Sequence, residues 1–180
     1  MLADAFVILT VAVRVLSGTG VFSNMGFTPE GASLLFFGAR MPRKQLWVPV
    51  ALFIGTDIYL TLGPYHQTHI NWDQLLVWAW YAAICFFGIL LKDRVKPLNV
   101  LGSGLVSAIS FFAISDFAVW LSGSIGYPKT WAGLLDCYVK AIPFLRNQMA
   151  ADVLFTLIFF SIPVVSMQVS RAFAPRKIPA

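Results

Sequence analysis

Charge is scarce in this chain: charged residues make up 12% of its 180 residues, about half the ~25% usual for a soluble domain. A water-facing surface of the ordinary kind is therefore excluded. The two cysteines, Cys85 and Cys137, stand far apart with no CxxC spacing, which argues against a disulfide framework and against a zinc site. There is no Gly-rich phosphate loop, so the chain itself is not an ATPase. No HExxH motif, no paired catalytic aspartates and no nucleophile beside a base occur at a recognisable spacing, and an enzyme is not expected. Basic residues interleaved with aromatics are missing as well, which removes the nucleic-acid reading of the net charge of +5. Internal repeats and low-complexity tracts are absent, and the length suits one domain, residues 1–180. No Lys or Arg precedes the first apolar run, as a cleavable signal peptide would require, so the first helix is expected to stay in the mature protein.

Apolar residues are plentiful, at 58% of the chain with a mean hydropathy of +0.77. They fall into six stretches, about 5–22, 31–41, 46–63, 74–91, 98–121 and 150–169. Five of them approach the ~20 residues that cross a ~30 Å hydrocarbon core. The second is about half that length, and its flanks decide how it is read. Arg40, Arg43 and Lys44 follow it, Lys92, Arg94 and Lys96 follow the fourth stretch, and Arg171, Arg176 and Lys177 follow the sixth, while the loops at 23–30 and 64–73 carry no Lys or Arg. If the short stretch crosses, these basic residues share one face, which the positive-inside bias makes cytoplasmic, and the two loops without Lys or Arg share the other. The expected fold is an all-α integral membrane protein, a multi-pass bundle of six transmembrane helices in the bacterial inner membrane with both termini cytoplasmic.

Turn chemistry agrees with these boundaries. Pro29 and Gly31 open the short helix, Pro42 closes it, Gly63-Pro64 ends the third, Pro97 starts the fifth, and a turn-rich break runs from Gly123 to Pro128. Pro49 and Pro163 lie inside spans, where neighbouring helices can satisfy the carbonyls that they free. Gly104 and Ala108, with Ser103 and Ser107 beside them, form a small-residue face for the bundle or for a partner chain. From Tyr127 to Asn147 apolar residues at helical spacing are interrupted by Asp136, Lys140 and Arg146, which predicts an amphipathic helix on the outer interface between the fifth and sixth spans.

Ionisable groups inside spans carry the functional signal, because a charge at the bilayer centre costs about 2.5–3.5 kcal/mol on translocon scales. With six crossings, Asp57, Asp116 and Asp152 gather toward the outer leaflet, at the level of Trp120, Tyr127, Lys129, Thr130, Tyr138, Arg146 and Asn147. That mixture fits a pocket open to the outside, with the acidic and basic groups as lining and the aromatics as walls. It fits equally a set of salt bridges and interfacial anchors. Arg14, near the middle of the first span, needs a partner, and Asp57 and Asp116 are the candidates for a structural ion pair.

Phe27-Thr28-Pro29, Gly31-Ala32, Phe37-Gly38-Ala39, Phe117 to Trp120 and the run from Tyr127-Pro128-Lys129-Thr130 through Gly133-Leu134, Cys137-Tyr138, Ala141 to Phe144, Asn147 and Asp152 resemble one family. It is a group of small bacterial membrane proteins assigned to transport, distantly similar to the substrate-capturing S components of energy-coupling factor (ECF) vitamin transporters. The resemblance spans most of residues 24–160, and the run from Tyr127 to Asp152 is its specific part. It implies a six-helix bundle whose outer cavity takes a micronutrient, working with a membrane-embedded coupling subunit and a pair of ATPases. Gly26, Glu30, Asp116 and Asp136 depart from the family pattern, and the first helix lacks the Ala-xxx-Ala spacing used for docking the coupling subunit. Three of these departures add negative charge. They leave room for a second reading, an accessory or pigment-organising subunit of a larger photosynthetic or respiratory membrane complex. Its candidate feature is His66 and His69, three apart and followed by Asp73, where one imidazole can ligate a haem iron or a chlorophyll magnesium and both with Asp73 can hold a divalent ion.

Overall fold

The computed structural model describes residues 2–20 and 27–172, with side chains through Ser166. The end of the first apolar stretch, Gly26, and the tail cations Arg176 and Lys177 lie outside the described residues, as does the side chain of Arg171. Every regular element described is helical: α1 (Leu2–Gly18), α2 (Glu30–Arg40), α3 (Trp47–Leu62), α4 (Asp73–Gly88), α5 (Pro97–Ser122) and α6 (Trp131–Ala172), with single 3-10 turns at Arg43–Gln45 and Ile89–Leu91. Four helical segments are long and apolar enough to cross a membrane: Arg43–Leu62, Asp73–Leu91, Pro97–Ser122 and Trp131–Ser166. Only 22–33% of the apolar window in each is buried within the bundle. Their remaining surface is apolar and needs lipid to cover it.

The ends of α5 follow from local chemistry. Pro97 occupies its first turn, where a missing N–H costs nothing, and Gly123 closes it in the left-handed region at φ 73°, donating its N–H to the Val119 carbonyl.

Side-chain contacts give the helix directions. Phe6 lies 5.0 Å from Phe36 while Thr10 reaches the Pro29 carbonyl, so α1 and α2 are antiparallel. Thr61 and Gln74 meet at one end of the α3–α4 pair, and Leu46 and Cys85 meet at the other. Ser122 touches Asp73 where α5 ends and α4 begins, and Tyr138 and Ser107 fix α6 antiparallel to α5. The chain thus alternates direction through all six helices. The segment from Arg40 to Lys44 leaves the bundle at the same end as Lys92, Arg94 and Lys96, because α2 also packs against the turn at Ile89–Leu91. This is the basic end of the bundle.

The short helix is the hub. Although α2 rises only about 17 Å, half of a ~30 Å core, it touches all five other helices, and every residue from Glu30 to Ala39 is buried. Glycines allow the approach: a Cβ on Gly38 would lie 1.9 Å from the Cys85 carbonyl oxygen, and one on Gly88 would lie 2.4 Å from that of Leu35. Phe36 packs edge-on to Phe6 and Phe160 at about 5 Å. The small-residue face of α5 serves the bundle itself, since Ser103, Gly104, Ser107 and Ala108 are buried and Gly104 lies against the α6 backbone at Asp152 and Val153.

One expectation needs correction. The amphipathic segment is not a helix separate from the last span, because residues 131–172 form a single 42-residue helix. Its length is about 63 Å, twice the hydrocarbon core. Pro143 and Pro163 both lie inside it, where each interrupts the hydrogen-bond ladder and kinks the helix, but the segment before Pro143 runs on into the last span as one helix. Its first turns dock on α5 through Cys137 and Tyr138, leaving Trp131, Leu135 and Ile142 exposed.

Candidate functional site

A helix that starts inside a bundle brings its unpaired first-turn amides with it. Carboxylates are the natural complement to that positive end, and two of them collect around the start of α2.

The first, Glu30, is the opening residue of α2. Its Oε1 lies 2.8 Å from Arg14 Nε and accepts the Thr28 hydroxyl at 3.1 Å. Arg14 also donates from Nη2 to Asp57 Oδ1. The other oxygen of Asp57 accepts Trp78 Nε1 at 2.9 Å and the Tyr81 hydroxyl at 3.1 Å. The guanidinium sits 5.4 Å from the Phe53 ring centroid and 5.6 Å from that of Tyr81. Side-chain exposure is only 9% for Arg14, 11% for Glu30 and 15% for Asp57, so these charges are substantially desolvated. Four helices are tied together by one cation. Asp57, expected as polar lining of a pocket, is committed to this network, and it rather than Asp116 is the partner of Arg14.

The second carboxylate, Asp152, is fully buried. Its Oδ2 accepts the Ser107 hydroxyl at 2.8 Å, and the Ala32 amide and the Gln148 side chain lie beside it. Its Oδ1 has no donor in hydrogen-bonding geometry, nor has the buried hydroxyl of Thr156 one turn further along α6. Gly31 is required here, since a Cβ would fall 1.9 Å from Ser107 Oγ and 2.6 Å from Asp152 Oδ2.

Gln148 leads outward from Asp152. It also lines a half-open cavity of about 280 Å³ between α5 and α6, together with Phe111, Phe112, Ser115, Asp116 and Phe144. The Asp116 carboxylate has no hydrogen-bonding or ionic partner among the described residues, whereas Glu30 and Asp57 pair with Arg14 and Asp136 pairs with Lys140. Asp116 stands nine residues beyond Ser107 on α5, about 13 Å along the axis.

The other expected site residues do not join this cavity. Lys129 donates to the carbonyls of Trp120 and Leu121, capping the C-terminus of α5, with its Nζ 5.3 Å from the Trp120 ring centroid. Thr130 accepts the Gly133 N–H at 3.2 Å, as an N-cap of α6 does. Trp120, Lys129 and Thr130 instead flank a groove of about 290 Å³ with Phe117, Trp131 and Leu134. Tyr138 donates to the Ala113 carbonyl at 2.6 Å and borders a third, largely apolar groove beside Trp80. Tyr127 lies under Lys140, which pairs with Asp136 at 2.7 Å. Arg146 is exposed and Asn147 half-buried. The expected polar layer is therefore divided between a buried ionic centre, one acidic cavity and a set of helix caps.

His66 and His69 are exposed, His66 at a positive φ of 51° and His69 with its Nδ1 3.0 Å from Thr68 Oγ1. No three His, Cys, Asp or Glu side chains converge as a metal site among the described residues. His66, His69 and Asp73 thus do not form the divalent-ion set.

Glu30, Gln148 and Thr156 are the polar groups missed from the sequence. Glu30 had a signal, an acid directly after Thr-Pro at the head of an apolar run that has to face Arg14. Gln148 and Thr156 had only their helical spacing from Asp152.

A family model matches residues 1–173, and its description is "family of unknown function" (DUF6580). The chain belongs to the DUF6580 family. No curated protein and no solved structure matches it. The chemistry of this DUF6580 member is thus read from its own residues: a charge-balanced centre that fixes the helices, and beside it a carboxylate with no counter-charge.

Proposed function

We propose that the chain is a small-solute-capture subunit of a membrane transport system, with six crossings, the basic end of the bundle in the cytoplasm, and the Asp116 cavity open to the extracytoplasmic side of a bacterial inner membrane. One observation carries the reading: Asp116, a half-buried carboxylate with no protein counter-charge, faces an aromatic-walled cavity that Gln148 connects to buried Asp152 and the start of the hub helix. Unpaired intramembrane acids are costly and are commonly retained at substrate or ion sites. Broken or half-length helices that begin inside a bundle are a recurrent way of building such sites in transporters.

The chain carries no nucleotide-binding loop, and the reading takes its energy to come from a membrane-embedded coupling subunit and ATPases. Lys129, Thr130 and Tyr138 set the helix ends and the α5–α6 contact in this scheme and do not touch solute. Purification from native membranes tests the class of function. Copurifying ATPase subunits, with uptake lost in Asp116→Asn while the bundle still assembles, support transport. A stable pigment-bearing or redox supercomplex with uptake unaffected rejects it in favour of an accessory role.

A further inference from the structure

The Asp116 cavity has a composition that selects a ligand class. Its single charged group is negative, its walls are Phe111, Phe112 and Phe144 with aliphatic Val119 and Leu145, and Ser115 and Gln148 supply the polar remainder. An aromatic face attracts a cation through its quadrupole, and a positive charge close by favours the ionised form of a carboxylate that has no partner of its own. An anion is repelled by the carboxylate, and an uncharged polar solute can hydrogen-bond to it but gains nothing from the ring quadrupoles. The volume of about 280 Å³ falls just below the roughly 300–1,000 Å³ of ligand pockets, so the occupant is compact.

The walls are also fixed before anything binds. Tyr138 donates to the Ala113 carbonyl at 2.6 Å and stacks edge-on to Phe112 at 5.3 Å, and Cys137 Sγ approaches the Asp116 carbonyl at 3.5 Å, which locks α5 to α6 beside the cavity.

We infer that the Asp116 cavity is a recognition site for an ammonium group, with the carboxylate as counter-charge and Phe112 and Phe144 as the cation-binding faces. The inference rests on the capture reading and names its solute class as a small organic cation. An ammonium reaches this depth from two sources, a dissolved amine or the headgroup of a zwitterionic lipid.

The test uses the full chain in nanodiscs of phosphatidylglycerol, which contain no ammonium, and measures binding of choline and of its uncharged carbon isostere 3,3-dimethyl-1-butanol by calorimetry. Choline is expected to bind at least about tenfold more tightly than the isostere, a difference of about 1.4 kcal/mol. Asp116→Asn is expected to remove that preference with the helical content unchanged. Phe144→Leu, at an exposed position, is expected to weaken choline by a smaller factor, about two- to fivefold. Repeating the titration in phosphatidylethanolamine discs separates the sources: weaker choline binding there identifies the lipid headgroup as the competing occupant, and unchanged binding identifies a dissolved amine. Equal binding of choline and the isostere, full choline binding by Asp116→Asn, or no choline binding in phosphatidylglycerol overturns the inference. Binding of the isostere alone leaves capture standing with an uncharged solute, whereas loss of the transport reading appears separately, as the absence of copurifying ATPases.

Discussion

Replacing Gly31 by alanine tests whether the start of α2 is held as described. The added Cβ would lie 1.9 Å from Ser107 Oγ and within 2.6–2.9 Å of both Asp152 carboxylate oxygens, so the hydroxyl and the carboxylate have to separate. Overpacking a buried site costs about 1–3 kcal/mol, and breaking the Ser107–Asp152 hydrogen bond leaves a buried acceptor short of a donor at about 1–3 kcal/mol more. We take roughly 3 kcal/mol as the working figure, which for a chain of this size lowers the melting temperature by about 6–12 °C. The assay is thermal unfolding of the purified protein in one detergent, with Gly102→Ala as control because a Cβ there meets nothing within 4 Å. Adding Ser107→Ala to Gly31→Ala removes the nearest clashing atom, so the double variant is expected to lose less than the sum of the two single losses. A Gly31→Ala melting temperature equal to that of Gly102→Ala, or strictly additive losses, would refute the packing of α2 against the Asp152 carboxylate.

Three further outcomes follow from the same contacts. Arg14→Met leaves Glu30 and Asp57 buried without their cation and is expected to cost about 3–5 kcal/mol; the triple variant with Glu30→Gln and Asp57→Asn is expected to recover most of it by thermal unfolding, and no recovery argues against charge as the cause. Thr130→Ala removes the α6 N-cap at a cost of about 1 kcal/mol, read as a melting shift of about 2–4 °C with choline binding unchanged; a change in binding would return Thr130 to the ligand site. His66→Ala with His69→Ala is expected to leave unfolding insensitive to added divalent ions and to chelator, because the two rings do not form a metal site with Asp73; a metal-dependent stabilisation in the parent that the double variant lacks would reverse that conclusion.

Much of the architecture could be read from hydropathy and turn residues, because lipid leaves helices few alternatives. The boundaries at Pro97, Gly123 and Gly63 were legible since each residue has its own backbone reason to end a helix there. The continuity of α6 was not: Asp136, Lys140 and Arg146 look like a change of environment, yet a helix longer than the bilayer carries polar residues beyond it without breaking. Arg14 announced a buried ion pair, and Asp57 was one of its two evident partners. Which acid it chose depends on α1 and α3 running in the same direction side by side, a fact of packing. Lys129 and Thr130 showed the right chemistry for a ligand site but spend it on helix ends, an outcome decided by turn geometry. Asp116 is distinguished from Asp57 and Asp152 only by what surrounds it, and no spacing in the sequence records that.

Sidedness is the most direct test of the six-crossing arrangement on which the capture site depends. Single cysteines at Thr19, Lys44, Arg94 and Ile125, in a background lacking Cys85 and Cys137, are labelled with a membrane-impermeant maleimide in intact cells and in inverted vesicles. Lys44→Cys and Arg94→Cys are expected to react only in inverted vesicles, and Thr19→Cys and Ile125→Cys, both at exposed positions, only in intact cells. Reaction of positions 19 and 44 from the same side would contradict the crossing of α2, and reaction of positions 94 and 125 from the same side would contradict the outward-facing Asp116 cavity.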